Sequence, residues 1–588
     1  YTVYPDCDVI TRRLCIKNGA DAPVTLEKAL SYQLDLPGCD YVLSTFPGAW
    51  ARERHEACVP LTPGAHVFGS TTGASSAFCN PFFMLCAPDA TEFNGDAYGF
   101  NLGYSRSHMG CVEVSPWGKT RVAAGIQPEG FAWTLAPGER FETPEAVLTF
   151  SRAGKNGMSA NLHAFVQEHI VRGKWAKKDR PVLLNNWEAT HCDFDEARLK
   201  QLFDGARQTG AELFLLDDGW FGNGPYSRDD DKHGLGDWEP STKKLPRGLS
   251  YIAREALKRK VGFGIWLEPE MVNPQSELYQ KHPDWIITQP KREPILGRHQ
   301  EILDLTRPEV QAYEWDIIDR TLRPNPDITY VKWDCNRYIT QPGSSYLQSA
   351  DQSHLWIDYN WALYRLMDRF AKGFPNVMAM LCAGGSGRVD YGAMPYFHSF
   401  WPSDNTDPLG RIKIQWGFSH FFPANTISAH VTRMGKRHLK MAIDVALSGA
   451  FGIDLALDKA TPEERAQIAD AVKLYKERIR PLVMRGELYR LVSPYESPLA
   501  SLSYVSTDKK QAVVYLYQTK DGREARVKLG GLDAGKKYRI EEVSLSKGMA
   551  SRFPANGQVL TGAELMTEGL ENPLDAQFES AVLMIETL

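Results

Sequence analysis

Residues 328–338 read ITYVKWDCNRY. β-Branched and aromatic residues lead in, and then Lys332, Asp334 and Asn336 occupy every second position where a buried strand should end. Side chains alternate across a strand, so these three share one face while Trp333 and Cys335 point the other way, toward covering helices. A polar row closing an apolar strand fits the mouth of a parallel barrel, where chemistry gathers at the C-terminal strand ends.

The flanking text supports that reading. PVLLNNW (181–187), ELFLLDDGW, VGFGIWLEPEM and ITYVKWD read as strands one to four. Between and after them, DEARLKQLFDGARQTG (closed by Gly210), LSYIAREALKRK, PEVQAYEWDIIDRTL and SHLWIDYNWALYRLMDRFAK read as helices. Pro308 opens the third of these, as a first helical turn allows. VMAMLCAGG, HSFWPSD, FFPANTISAH and GAFGIDLAL complete eight strand–helix units, the repeat of a (β/α)8 TIM barrel. A doubly wound sheet would want a glycine-rich phosphate loop after strand one, and NNWEATHCDF is not one.

The ends of the chain are different. Residues 1–152 carry short strands with Gly-, Pro-, Asn- and Asp-rich gaps, the pattern of a β-sandwich. The first strand comes without a lead-in, so this domain is expected to be incomplete. The barrel with its linking helix, NGMSANLHAFVQEHIVRGKW, spans 153–485, and residues 486–588 return to alternation as a small antiparallel β-domain. The expected fold is therefore multidomain, and 588 residues are too many for one core.

Composition narrows the function. A net charge of −5 has the wrong sign for a nucleic-acid face, and no apolar run is long enough to span a membrane. The ten cysteines are scattered without a C-x-x-C pair, which speaks against zinc or redox motifs and for free thiols in a reducing, cytoplasmic setting. The chain opens at Tyr1 without a methionine, which allows a processed start. Fifteen tryptophans offer platforms for sugar rings.

The strand ends carry the chemistry. They read NNWE, LDDGW, WLEPE, KWDCN, LCAGG and WPSDN. Lys332 and Asn336 flank Asp334 and favour its charged form, which suits a nucleophile. Asp404 follows Phe400 and Trp401, and desolvation there would keep it protonated; the alternative is a helix cap near Pro408. Two carboxyls with opposite tuning at one mouth point to glycosidic bond cleavage. Adjacent Asp217 and Asp218 suit two sugar hydroxyls, and with no histidine or third carboxylate nearby in the sequence, no metal is expected. Arg298 and Trp266 are candidates for contacting the sugar, the one by hydrogen bonds and the other by stacking. Trp187 and Trp401, at two further strand ends, join them.

At these residues the sequence resembles glycoside hydrolase family 36, the retaining α-galactosidases. RPVLLNNWEATHCDF, WLEPEMVNPQSELYQKHPDW, GRHQEILDLTRPEV, YVKWDCNR, CAGGSGRVDYG and SDNTDPLGRIKIQWG carry the likeness in order across 180–417, and YGFNLGYS and NPFFMLCAPDATE extend it into the N-terminal sandwich. The resemblance implies Asp334 as nucleophile, Asp404 as acid/base, and Asp217 with Asp218 on O4 and O6 of galactose. It implies Lys332, Asn336 and Arg298 around the sugar, Trp266 as a wall, and Cys382 and Gly385 near O2. It also implies a terminal α-galactosyl oligosaccharide or glycoconjugate as substrate, no cofactor, and a homo-oligomer, tetrameric in family members. Where the family often reads C-S-G-G-G-G-R, this chain has Ala383 and Ser386, and Met380 stands where glutamate is frequent. Those positions keep an α-N-acetylgalactosaminidase or α-galactosaminidase open, and a transglycosylase shares the scaffold.

Overall fold

The computed structural model of the chain describes residues 1–546 and 548–588. Its centre is a parallel eight-stranded sheet: β1 (Leu183–Asn185), β2 (Leu213–Leu216), β3 (Gly262–Leu267), β4 (Ile328–Trp333), β5 (Met378–Leu381), β6 (Ser399–Phe400), β7 (Ser428–Val431) and β8 (Ala450–Ile453). The strands neighbour one another in the order β6-β5-β4-β3-β2-β1-β8-β7, and a single parallel bridge between Phe400 and Ile427 brings β6 back to β7. The sheet is thus a nearly closed TIM barrel, as the alternation of strand and helix patterns leads one to expect.

Side-chain parity decides what the barrel presents at its mouth. Leu183, Leu213, Leu215, Tyr330, Met378 and Met380 meet in a closed cluster inside it. The residues out of phase with them, including Leu184, Phe214, Val331, Trp333 and Leu381, belong to the larger core under the helices. Each such buried side chain is worth about 1.5–3 kcal/mol over leaving it exposed. A one-residue slip would turn every one of them to the wrong side, so the register is strongly held. The next in-phase residues above the plug are Asn185, Asp217 and Lys332, while Cys382 still belongs to the plug, and a polar layer over an apolar floor follows directly.

The surrounding helices are α1 (Glu196–Thr209), α2 (Gly248–Lys258), α3 (Pro308–Leu322), α4 (Leu355–Gly373), α5 (Pro408–Phe418) and α6 (Leu439–Ala446). On α1 the Asp195 side chain accepts from the Arg198 amide at 2.8 Å, and Gly210 ends the helix at φ 79°, a left-handed conformation glycine adopts without strain. α5 is capped by Asp407, not by Asp404 or Asn405. Strand one is shorter than its sequence pattern. The Asn185 side chain accepts from the Trp187 amide at 2.8 Å, which turns the chain, and Trp187 opens a one-turn helix ending at Thr190.

Before the barrel, a seven-stranded and a four-stranded antiparallel sheet pack face to face over Tyr32, Phe83, Phe100, Val112 and Val122. After it, a six-stranded antiparallel sheet docks beside α6: Tyr504, Tyr515 and Tyr517 donate hydroxyl hydrogen bonds to the carbonyls of Ser448, Leu447 and Asp444 at 2.8, 2.8 and 3.1 Å. In the stretch EARVKLGGL only Arg526–Val527 is a strand, and it pairs with Leu570–Glu571 outside that sheet. Among the described residues no helix is long and apolar enough to cross a membrane.

Candidate active site

A cavity of about 570 Å³ opens at the C-terminal ends of the barrel strands. β4 supplies its centre. Lys332 leans across to β2, its Nζ 2.7 Å from Oδ2 of Asp217, and the Asn185 amide donates to the same oxygen at 2.7 Å. Burial works against the charge on Lys332, and Asp217 more than compensates, so the ammonium is held firmly. The Asp218 carboxylate is gripped at both oxygens by the fully buried Arg228, at 2.9 and 2.7 Å. Adjacent Asp217 and Asp218 both reach the cavity because β2 has already ended at Leu216.

Asp334 sits one step beyond β4 and is 5% exposed. Its Oδ2 accepts from Nε1 of Trp266 at 3.0 Å, and its Oδ1 from the amides of Cys335 at 2.8 Å and Gly384 at 3.2 Å. Burial alone would push this carboxyl up; the cations Lys332 and Arg298 outweigh it and hold it below the ordinary aspartate value. The backbone N–H of Asn336 donates to Oε1 of Glu268, the residue after β3, at 2.5 Å. Burial, then the charge on Asp334, raise Glu268 to about 7.

Asp404 follows β6 and faces the same cavity. It accepts from Nε1 of Trp401 at 3.1 Å on Oδ1 and from Nε1 of Trp50 at 2.8 Å on Oδ2. Burial and the negative Asp334 raise it above the ordinary aspartate value, with the Trp50 hydrogen bond opposing. One carboxyl is pressed toward the charged form and the other toward the protonated form.

Arg298, at φ 52°, lies at the cavity rim with an open side chain. Trp187 and Trp401 also line the cavity, and Trp266 lines it while almost wholly buried, so its indole N–H serves Asp334. Cys382 and Gly385 are not among the lining residues. Cys382 is 1% exposed and belongs to the apolar plug beneath, because it is in phase with Met378 and Met380. Gly385 faces Glu53, whose Oε1 would lie 2.7 Å from an added Cβ. Ala383 and Gly384 form that part of the wall instead.

The sequence reading missed Asn185, Glu188, Asp454 and Trp50, all on the cavity wall. Asn185 was legible from its phase with Leu183. Asp454 was legible as the acid ending β8; it accepts from the Glu188 amide at 2.9 Å, and burial and Glu188 raise it well above the ordinary value. Trp50 lies 354 residues from Asp404 in a loop of another domain, and no local pattern marks it. Among the described residues, the one group whose metal-ligand atoms lie within 4.8 Å of one another is Asp6, Cys7 and His169, and none of these lines the cavity.

A sugar-sized cavity at a barrel mouth, holding two carboxyls of opposite tuning, defines the class of barrel glycoside hydrolases. The chain belongs to glycosyl hydrolase family 36: residues 140–486 match the melibiase family, 1–136 the family 36 N-terminal domain and 499–585 the family 36 C-terminal domain. It is 41% identical over 557 residues to alpha-galactosidase AgaA of Geobacillus stearothermophilus, covering 93% of this chain and 76% of that protein. It is 37% identical over 586 residues to alpha-galactosidase Mel36A of Lactobacillus acidophilus, covering 98% and 77%. The crystal structure of AgaA superposes with a TM-score of 0.94 at 39% identity over 100% of this chain and 80% of that one. Structures of AgaA variants hold raffinose and stachyose.

Proposed function

We propose that the chain is a retaining exo-α-galactosidase acting on terminal α-linked galactose of oligosaccharides or glycoconjugates. The supporting observation is the opposite tuning of Asp334 and Asp404 across one cavity. Asp334 attacks the anomeric carbon while Asp404 gives its proton to the departing glycosidic oxygen. A β-linked galactosyl-enzyme results. Asp404, now a carboxylate, takes a proton from water as that water attacks the same carbon, and galactose leaves with its configuration kept. Asp217 and Asp218 present oxygens already oriented by Lys332, Asn185 and Arg228, so accepting two sugar hydroxyls costs little reorganisation. Trp187, Trp401 and Arg298 complete the lining around the sugar.

The AgaA complexes with raffinose and stachyose support the substrate class. Of the three departures near C2, Ala383 alone is on the cavity wall; Met380 lies in the plug and Ser386 is fully buried. Galactose is therefore the sugar proposed. We place the catalytic unit at about residues 153–485 and infer assembly into a homo-oligomer, as the family resemblance implies. The test is proton NMR of p-nitrophenyl α-galactoside hydrolysis. α-Galactose appearing first supports the reading; β-galactose first, or preference for the 2-acetamido substrate, overturns it.

A further inference from the structure

Trp50 is 67% exposed, yet its indole N–H makes a 2.8 Å hydrogen bond to Asp404. Packing does not hold an indole that open. Its backbone must be held instead. Trp50 stands at the tip of the loop 46–56, between the N-terminal-domain strands Val42–Thr45 and Ala57–Pro60, which pair with each other. Ala51 and Arg54 in that tip have φ of 62° and 58°, a region alanine and arginine occupy only where the surroundings fix it.

The fixing group is a carboxyl. Glu53 is 0% exposed. Its Oε1 accepts from the Ala51 amide at 3.2 Å, and its Oε2 accepts from the Ser403 hydroxyl at 2.5 Å. Ser403 Oγ in turn accepts from the Asn405 amide at 2.9 Å, and Asn405 Nδ2 donates back to the Ala51 carbonyl at 3.0 Å. The residue after Trp50 and both neighbours of Asp404 are therefore tied through one buried side chain. Two glycines leave room for the loop. An added Cβ at Gly385 would lie 2.7 Å from Oε1 of Glu53, and one at Gly417 2.0 Å from the Arg54 carbonyl. The Arg54 guanidinium donates to the Ser386 carbonyl at 2.8 Å and lies over the Phe418 ring, clamping the loop's far side to the barrel.

We propose that Glu53, from the N-terminal domain, is a positioning residue for the acid/base step, holding Trp50 and Asp404 in register through Ser403 and the Ala51 amide. This rests on the reading of Asp404 as the acid/base. Burial, opposed by the Ser403 hydrogen bond, places the Glu53 carboxyl at about 7, and its two donors favour the charged form. Glutamine at this position has one oxygen for two donors and must turn an N–H toward one of them.

The test separates acid assistance from general damage. kcat/KM, which reports galactosylation, is measured on raffinose, whose leaving group needs a proton, and on 2,4-dinitrophenyl α-galactoside, whose leaving group does not. Glu53→Gln and Ser403→Ala should each lower kcat/KM on raffinose about tenfold or more while changing the aryl substrate less than about threefold. Galactose inhibition should stay within about twofold of the parent, which reports an intact sugar pocket. Equal losses on both substrates, or no loss on raffinose, overturn the proposal, and Ser403→Ala decides alone if Glu53→Gln does not fold. Asp404→Ala on the same pair is the control: without a split there, the acid/base reading itself fails; with a split there and none at Glu53 and Ser403, this proposal alone fails.

Discussion

Asp334 and Asp404 face one cavity but are built differently. Every hydrogen bond to Asp334 comes from the barrel: the Trp266 indole on β3, the Cys335 amide beyond β4 and the Gly384 amide beyond β5. The cations that hold it charged, Lys332 and Arg298, lie in the barrel segment too. Asp404 takes one indole from the barrel, Trp401, and the shorter bond from Trp50 in the sandwich domain. The group proposed to stay charged is thus set within the barrel segment, and the group proposed to cycle its proton is set where two domains meet. Changes in the barrel should act on bond formation to the sugar, and changes at the domain junction on proton transfer.

The hardest strike on this contrast is Asp334→Asn. The change leaves the shape and removes the proposed nucleophile, so kcat should fall by on the order of a thousandfold or more on every substrate, whatever the leaving group. Steady-state kinetics on p-nitrophenyl α-galactoside and raffinose measure this; turnover near the parent level on either would remove Asp334 from the mechanism. Asp404→Asn should behave otherwise. Losing a general acid costs about 10² to 10⁴ where the leaving group needs a proton and much less where it does not. Equal losses on good and poor leaving groups would erase the distinction between the two carboxyls.

How much of this the sequence told follows the same division. Alternation within ITYVKWD marked Lys332 and Asp334 because a strand's phase is local, and the other strand ends followed from the same rule. The resemblance placed Cys382 near O2, but its phase with Met378 and Met380 puts it in the apolar floor. The resemblance also placed Gly385 near O2, whereas its neighbour is Glu53. Trp50 and Glu53 left no trace, because their meaning depends on how the sandwich docks on the barrel, which no short pattern encodes. The eight-stranded barrel and its flanking β-domains were legible, since hydrophobic period and turn residues determine them.

The third prediction works on the junction itself. Trp50→Phe keeps a ring and removes the N–H. That donor favours the charged Asp404, so its loss raises the carboxyl further. On the proposed mechanism the parent needs Asp334 ionised and Asp404 protonated. With Asp334 held low, the acid limb of kcat/KM should lie below the usual aspartate range; with Asp404 held high, the alkaline limb should lie above it. Trp50→Phe should move the alkaline limb to higher pH, leave the acid limb in place, and lower kcat/KM on raffinose about tenfold, as expected for a lost hydrogen bond to a charged group. Movement of the acid limb instead would mean that Trp50 acts on Asp334 and that the two sites are not separable.

The smallest effect belongs to the other indole. Trp401 is 6% exposed, packs its ring against His430 at 4.5 Å between centroids, and carries the Arg411 guanidinium over its face at 5.2 Å. Its bond to Asp404 is longer, 3.1 Å against 2.8 Å. In Trp401→Phe the ring stays where packing puts it, and because Asp404 lines the cavity, water or a sugar hydroxyl is expected to replace the lost donor. The alkaline limb should move up only slightly and kcat/KM should fall within about threefold. If Trp401→Phe matched or exceeded Trp50→Phe, the barrel would be the main support of Asp404, and the sandwich loop a bystander to proton transfer. If Trp50→Phe is the costlier change, although its ring is the more exposed, the orientation of Asp404 is set from outside the barrel.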